Sequence, residues 1–342
     1  MKALRKVKAG YGNMEIVDMK EVSPLNGELK VRVVATGICG SDIHALKGEY
    51  NKQIPLTLGH EFVGEVVEVG ENVTAFIQGD RLVSETTFEV CEKCQYCLQE
   101  EYNLCSHRRG IGTQVDGSFA EYVIVKAARC HLLPDEIDDK VAAMMEPLAC
   151  CIHAVMEKTT VTPGEKIAVF GPGPIGMLLA AVLVSLDAEV FMIGITKDAK
   201  RLSLAKEVGV QHIIDSQKQD LGQVILDHTD GLGVDQVFEC SGSPIAVHQA
   251  MEILKKKGRL IQEGLFAKDM NEIDMSLLIH KEIEYIGSRT QKPTSWKLAL
   301  EWLVEKQVDL TPIVTKTLPL DQWEEAFQLA MNGEELKVLM VP

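Results

Sequence analysis

Apolar and polar positions change their rhythm once along the chain. Up to about Leu148 they fall in short β-branched runs, such as Lys30–Ala35 and Phe62–Val69, separated by Gly and Pro turns. From about Cys150 strand-like runs alternate with helix-length segments. Ile167–Phe170 precedes a helix starting near Ile175, and Val190–Ile193 precedes one over about Ala199–Val208. His212–Ile214, Val234–Glu239, Arg259–Gln262 and Ile283–Gly287 continue the series. Six strands in βα alternation predict a doubly wound parallel sheet, so the chain is of the α/β class with a β-rich first part. After Lys292 a helical run, Ser295–Glu305, leads into a β-like tail.

One segment gives that parallel sheet a chemistry. Gly171-Pro172-Gly173-Pro174-Ile175-Gly176 fits GxGxxG, directly after an apolar strand and at the start of an apolar helix. The first Gly makes a tight turn, the second lets the backbone approach a pyrophosphate, and the third lets helix and strand pack closely. The helix N-terminus adds unpaired N–H groups for the phosphates. The region is therefore expected to bind a dinucleotide through Gly171, Gly173, Pro174, Ile175 and Gly176. A carboxylate for the ribose 2′-hydroxyl is expected at the end of the second strand, but the residues there are Thr196 and Lys197. Asp198 reads as the cap of the next helix. Lys197 and Arg201 suit a 2′-phosphate, which favours NADP over NAD.

The nine cysteines are unevenly spread, and Cys91, Cys94, Cys97 and Cys105 lie within fifteen positions. Four thiolates close a tetrahedral shell around Zn²⁺ and leave no position open, which makes a structural site. An iron–sulfur cluster is the chemical alternative for four thiolates, but the dinucleotide turn calls for no such electron relay. Three further stretches offer ligands that are each weak alone: Cys39-Gly40-Ser41-Asp42-Ile43-His44, Gly59-His60-Glu61, and Glu146-Pro147-Leu148.

Together these motifs resemble the zinc-containing medium-chain alcohol dehydrogenases, and most of all their sorbitol/polyol dehydrogenase branch. The resemblance rests on the Cys39–His44 and Gly59–Gly70 stretches, the Gly79-Asp80-Arg81 turn and the four-cysteine loop. It continues through Gly117-x-Phe119-Ala120-Glu121-Tyr122, Glu146-Pro147-Leu148 and the Gly171 turn, in the family's order over nearly the whole chain. It implies a GroES-like catalytic domain over residues 1–149 and 292–342, and a Rossmann domain over 150–291, with the active site in the cleft between them. It implies a catalytic zinc held by Cys39 and His60, with Glu61 or Glu146 as the further ligand. Ser41 would hydrogen-bond the alcohol oxygen, His44 would continue the proton relay, and Asp42 would orient a histidine. Tyr50 and Arg289 are candidates to contact substrate, and a phosphorylated sugar alcohol would call for cations, for which Lys47, Lys52 and Arg289 are the candidates. Two zinc ions per chain and NAD(P) are the implied cofactors, and a tetramer is favoured over a dimer.

The implied reaction is hydride transfer between a polyol or other secondary alcohol and NAD(P). A 2,3-diol or L-threonine dehydrogenase is the nearest alternative. The threonine enzymes carry a histidine shortly before the cysteine loop, where this chain has Ser84-Glu85-Thr86-Thr87-Phe88. A non-catalytic nicotinamide-binding or structural relative is a remote alternative, which would have lost ligands that are all present here. A net charge of −15 speaks against nucleic acid as a partner. Apolar runs fall short of the roughly 20 residues that span a bilayer. A cytoplasmic enzyme acting on a small molecule is the expectation.

Overall fold

The computed structural model describes residues 1–49 and 53–342. Tyr50 and Lys52 lie outside the described residues. The chain forms two compact units. The first comprises Met1–Ala149, Gln291–Gln307 and Val314–Pro342, and the second Cys150–Thr290 and Val308–Ile313.

The first unit is built around strand β1 (Glu28–Gly37), which pairs antiparallel with β2 (Glu61–Val69). Val31, Val33, Phe62 and Val66 bury their side chains between them and their neighbours. Between these strands runs a helix that the apolar pattern alone did not reveal, α1 (Gly40–Lys47). Its first residues are poor helix formers. It is held by a reciprocal cap, in which the Asp42 carboxylate accepts the Cys39 N–H at 3.0 Å, and by burial of Ala45 and Leu46. A second helix, α2 (Met145–Ile152), carries Glu146 and Pro147. Pro147 sits in the first turn, where no intrahelical partner is needed for its missing N–H.

The second unit holds the six-stranded sheet. It consists of β3 (Lys166–Phe170), β4 (Glu189–Gly194), β5 (His212–Asp215), β6 (Val234–Glu239), β7 (Leu254–Gln262) and β8 (Glu284–Gly287). The spatial order is β5-β4-β3-β6-β7-β8, parallel throughout. The order reverses beside β3, and ligands of such sheets bind outside the strand ends at that point. Helix α3 (Pro174–Ser185) leaves β3 through the glycine-rich turn. The helix expected to reach Val208 ends at Leu204. Its continuation tightens into i→i+3 bonds that stop at Gly209, whose φ is +88°.

The tail then supplies a further correction. It is not purely β-like, because the strands β9 (Val314–Pro319) and β10 (Lys337–Val341) flank a helix, Trp323–Asn332. Phe327 of that helix meets Phe119 edge-on at 6.0 Å, inside the core of the first unit. β10 pairs with the end of β1, so a residue from the end of the chain reaches the start of α1. No described helix is long and apolar enough to cross a membrane.

Candidate active site

The four-cysteine loop is compact. The sulfurs of Cys91, Cys94, Cys97 and Cys105 all lie within 4.8 Å of one another, with Cys94 and Cys97 at 3.5 Å. Cys94 caps a short helix, Gln95–Leu98, and its sulfur accepts the Cys97 N–H. The thiols are tuned in opposite directions. The backbone N–H groups of Lys93 and Cys94 bring Cys91 down to about 6, while burial and the neighbouring thiols push Cys97 up to about 12. A closed tetrahedral Zn²⁺ fits this donor set.

The second cluster assembles at the end of β1. Cys39 precedes α1, and His60 stands immediately before Glu61, the first residue of β2. The sulfur of Cys39, a ring nitrogen of His60 and a carboxylate oxygen of Glu61 lie within 4.8 Å of one another. Asp42, buried, ties the pieces together. Its carboxylate accepts the backbone N–H of Cys39 at 3.0 Å and of Gly59 at 3.3 Å, and lies 3.9 Å from His60 Nδ1. Gly59, with φ of +88°, leaves no room for a side chain against Phe119, so the turn delivers His60 beside Cys39. Glu146 from α2 is buried next to this group and accepts a 2.8 Å hydrogen bond from Gln291 Nε2.

Charge is the outstanding property of the cluster. Burial raises Asp42 and Glu146 above the usual carboxylate range. Burial works against protonated His60, but Asp42, Cys39 and Glu146 outweigh it and hold its pKa well above the ordinary value. Three carboxylates and a thiol thus crowd a space whose counter-charges are His60 and Lys337. A divalent cation fits that donor set, since it offsets the charge that protons otherwise neutralise. His60 Nδ1 is buried without a hydrogen-bond partner, its nearest carboxylate being Asp42. That leaves it one short movement from the orienting bond that a metal-ligating histidine makes.

Lys337, Gln291 and Gly37 belong to this site although their residue types alone did not mark them. Lys337 Nζ donates to Glu61 Oε2 and, at 3.1 Å, to the Ile38 carbonyl, with both members of the ion pair buried. A side chain at Gly37 would overlap Glu61 and lie 2.8 Å from Lys337 Cε. A lysine inside the apolar run Leu336–Val341 is the signal that could have found the pair.

The remaining candidates are more dispersed. Ser41 is partly buried in the first turn of α1. His44, one helical turn on, pairs with Glu49 at 2.6 Å and keeps 40% of its side chain exposed. Arg289 is exposed after β8, and Lys47 is exposed at the end of α1.

In the second unit Gly171 takes φ of +94°, and a Cβ at Gly176 would fall on the Gly171 carbonyl. A Cβ at Gly173 would meet nothing within 4 Å. Gly173 is the N-cap of α3, and no side chain caps that helix N-terminus, which Pro174 and Ile175 open. The open space and uncapped N–H groups fit a pyrophosphate. Thr196 and Lys197 are exposed past the end of β4, and Arg201 is partly buried. Asp198 accepts the Ile195 N–H at 3.1 Å, capping the short turn Thr196–Asp198 rather than the helix after it.

Comparison with known proteins agrees with this construction. Residues 25–135 match the alcohol dehydrogenase GroES-like domain, and residues 174–305 match the zinc-binding dehydrogenase domain. The chain is 47% identical to D-arabitol-phosphate dehydrogenase of Enterococcus avium, covering 99% of this chain and 97% of the relative. It is 46% identical to sorbitol dehydrogenase of Halalkalibacterium halodurans, covering 100% and 99%. Among solved structures, a zinc-binding dehydrogenase of Sinorhizobium meliloti bound to NADP superposes with a TM-score of 0.89 at 31% identity, covering 100% of this chain and 99% of that one. An alcohol dehydrogenase of Escherichia coli with NADH gives 0.90 at 25% identity, with the same coverage. The chain belongs to the zinc-binding, medium-chain alcohol dehydrogenases, an NAD(P)-dependent enzyme family, and within it to the polyol dehydrogenase branch.

Proposed function

We propose that the enzyme moves a hydride between a secondary hydroxyl of a polyol and NAD(P), using the cluster of Cys39, His60, Glu61 and Glu146 as its catalytic zinc site. The observation that carries this reading is the meeting of a half-buried thiol with a buried imidazole and a buried carboxylate within 4.8 Å. The first unit is then the catalytic domain and the second the dinucleotide domain. The four-cysteine loop holds a second, structural zinc, giving two per chain. When bound, the catalytic Zn²⁺ acts as a Lewis acid toward the alcohol oxygen and the nicotinamide accepts the hydride.

The chain's own residues position and deprotonate. Cys39 and His60 are the fixed ligands, the first bonded to Asp42 through its backbone N–H and the second facing the Asp42 carboxylate at 3.9 Å. Glu61 and Glu146 compete for the remaining protein position. Lys337 already engages one oxygen of Glu61, and Gln291 one oxygen of Glu146. Each carboxylate therefore presents a restrained ligand rather than a mobile one. Ser41 hydrogen-bonds the alcohol oxygen and passes its proton to His44. The i,i+3 spacing puts the two on one face of α1, and the exposed edge of His44 returns the proton to water. Glu49 holds that imidazole in place.

Similarity to sorbitol and D-arabitol-phosphate dehydrogenases supports a polyol substrate, free or phosphorylated. For a phosphate the candidate cations are Lys47 and Arg289, with Lys52 and the aromatic Tyr50 outside the described residues. Cytoplasmic location and a tetrameric assembly complete the proposal, the latter checked by light scattering.

The test is metal content and turnover with a panel of polyols, polyol phosphates, ketoses, 2,3-diols and threonine. Wild type should hold two zinc ions and act on polyols. Cys39→Ser should hold one, lose turnover and still bind dinucleotide. Retained turnover in Cys39→Ser would refute the site, and activity confined to threonine or 2,3-diols would refute the substrate class.

A further inference from the structure

The end of β4 is where a dinucleotide-binding sheet normally presents a carboxylate to the adenosine ribose. Here that end reads Gly194-Ile195-Thr196-Lys197, without an acid. The carboxylate arrives from the adjacent strand instead. β4 and β5 run parallel with Gly194 opposite Asp215, and the Ser216 N–H continues the pairing to the Gly194 carbonyl at 2.9 Å. Thr196 Oγ1 donates to Asp215 Oδ2 at 2.9 Å and lies 3.2 Å from Oδ1. The Thr196 N–H donates to Gln217 Oε1 at 3.2 Å. The Gln217 N–H in turn donates to Asp215 Oδ1 at 3.1 Å. The two strand ends are therefore laced together, and the acid is fixed at the place where the second strand lacks one.

We propose that Asp215 is the cofactor-specificity residue, selecting NAD over NADP. Thr196, with its hydroxyl proton committed to Asp215, accepts a hydrogen bond from the ribose hydroxyls. The carboxylate behind it repels a 2′-phosphate. This inference rests on the dinucleotide reading above and reverses the preference for NADP that Lys197 and Arg201 suggest from sequence.

The nearby cations do not cancel the acid. Lys218 Nζ lies 3.3 Å from Asp215, but its side chain is 63% exposed and screened by water, whereas that of Asp215 is 15% exposed. Burial depresses Arg201, and the charge it feels most is that of Asp198. Lys197 stands exposed in solvent. Burial works against the Asp215 carboxylate, but hydrogen bonds from Thr196 and Gln217 and the charge of Lys218 hold it below the ordinary carboxylate range. It is ionised at neutral pH.

The experiment is a pair of binding titrations, NADH and NADPH without substrate, on zinc-loaded wild type, Asp215→Asn and Lys197→Ala. Wild type should bind NADH at least about tenfold more tightly than NADPH. Asp215→Asn keeps the shape and an acceptor for Thr196 but removes the charge. It should tighten NADPH by about tenfold and move NADH by less than about threefold. Lys197→Ala should leave the wild-type ratio in place. The proposal is overturned if wild type binds NADPH as tightly as NADH, if Asp215→Asn leaves the ratio unchanged, or if Lys197→Ala selectively abolishes NADPH binding. Wild type that binds neither dinucleotide would refute the underlying assignment of the glycine-rich turn, and this inference with it.

Discussion

Replacing Lys337 by Met isolates the energetics of the metal site from its chemistry. In the native chain Lys337 and Glu61 expose 1% and 2% of their side chains. Burial works against the ammonium, but Glu61, Cys39 and Glu146 outweigh it and hold Lys337 above its ordinary range. Met fills similar space and leaves a carboxylate and the Ile38 carbonyl without their donor. Removing one partner of a buried pair costs about 3–5 kcal/mol, because the other charge stays behind unpaired. At roughly 2–4 °C per kcal/mol for a unit of this size, thermal unfolding should fall by about 6–20 °C. The assay is unfolding of metal-stripped and zinc-loaded protein side by side. A zinc ion beside Glu61 supplies positive charge in place of Lys337, so the loss should be distinctly smaller in the loaded protein. The double variant Glu61→Gln/Lys337→Met, with neither charge, should recover most of the stripped-protein loss. A loss under about 1 kcal/mol in the stripped protein would refute the buried-pair argument. An equal loss with and without zinc would separate Glu61 from the metal.

Two further outcomes concern the second unit. In Gly176→Ala the new methyl meets the Gly171 carbonyl; dinucleotide binding should weaken by at least about tenfold in a fluorescence titration while zinc content stays unchanged. Glu263 tests a pH dependence: burial, reinforced by Glu239, lifts it to about 8, and Oε1 has no hydrogen-bond partner. The folded state keeps a proton that the unfolded chain releases near the ordinary carboxylate value, so this group's contribution is full below about pH 4.5 and is lost as the pH rises to about 8. Denaturant unfolding at pH 5 and pH 8 should show Glu263→Gln flattening that decline by a few kcal/mol; an unchanged slope would remove Glu263 as its source.

What the sequence revealed depended on how locally each feature is encoded. The glycine turn needs three residues in six positions, and the cysteine loop four in fifteen, so spacing alone carries their geometry. The β3–β8 series was readable because each strand is an apolar run with a helix-length spacer. Helix α1 was not, because Gly40 and Ser41 have poor helix propensity and the helix exists through the Cys39–Asp42 cap and its buried Ala45 and Leu46. The helix Trp323–Asn332 is one short amphipathic stretch, and its apolar face has meaning only once Phe119 is beside it. Lys337 lies 276 positions from Glu61, and Gln291 lies 145 from Glu146. Both reach the site because the tail returns to the first unit, and no periodicity encodes that return. The same holds for Asp215. Its sequence position marks it as the end of a strand, while its function comes from the strand beside it. Ligand sets held by one loop are thus legible from spacing, whereas the groups that set charge at a site come from distant chain. A buried lysine or acid interrupting an apolar run is the trace they leave, as Lys337 does in Leu336–Val341. Such a residue keeps its place only if a partner across the fold offsets the cost of burying it.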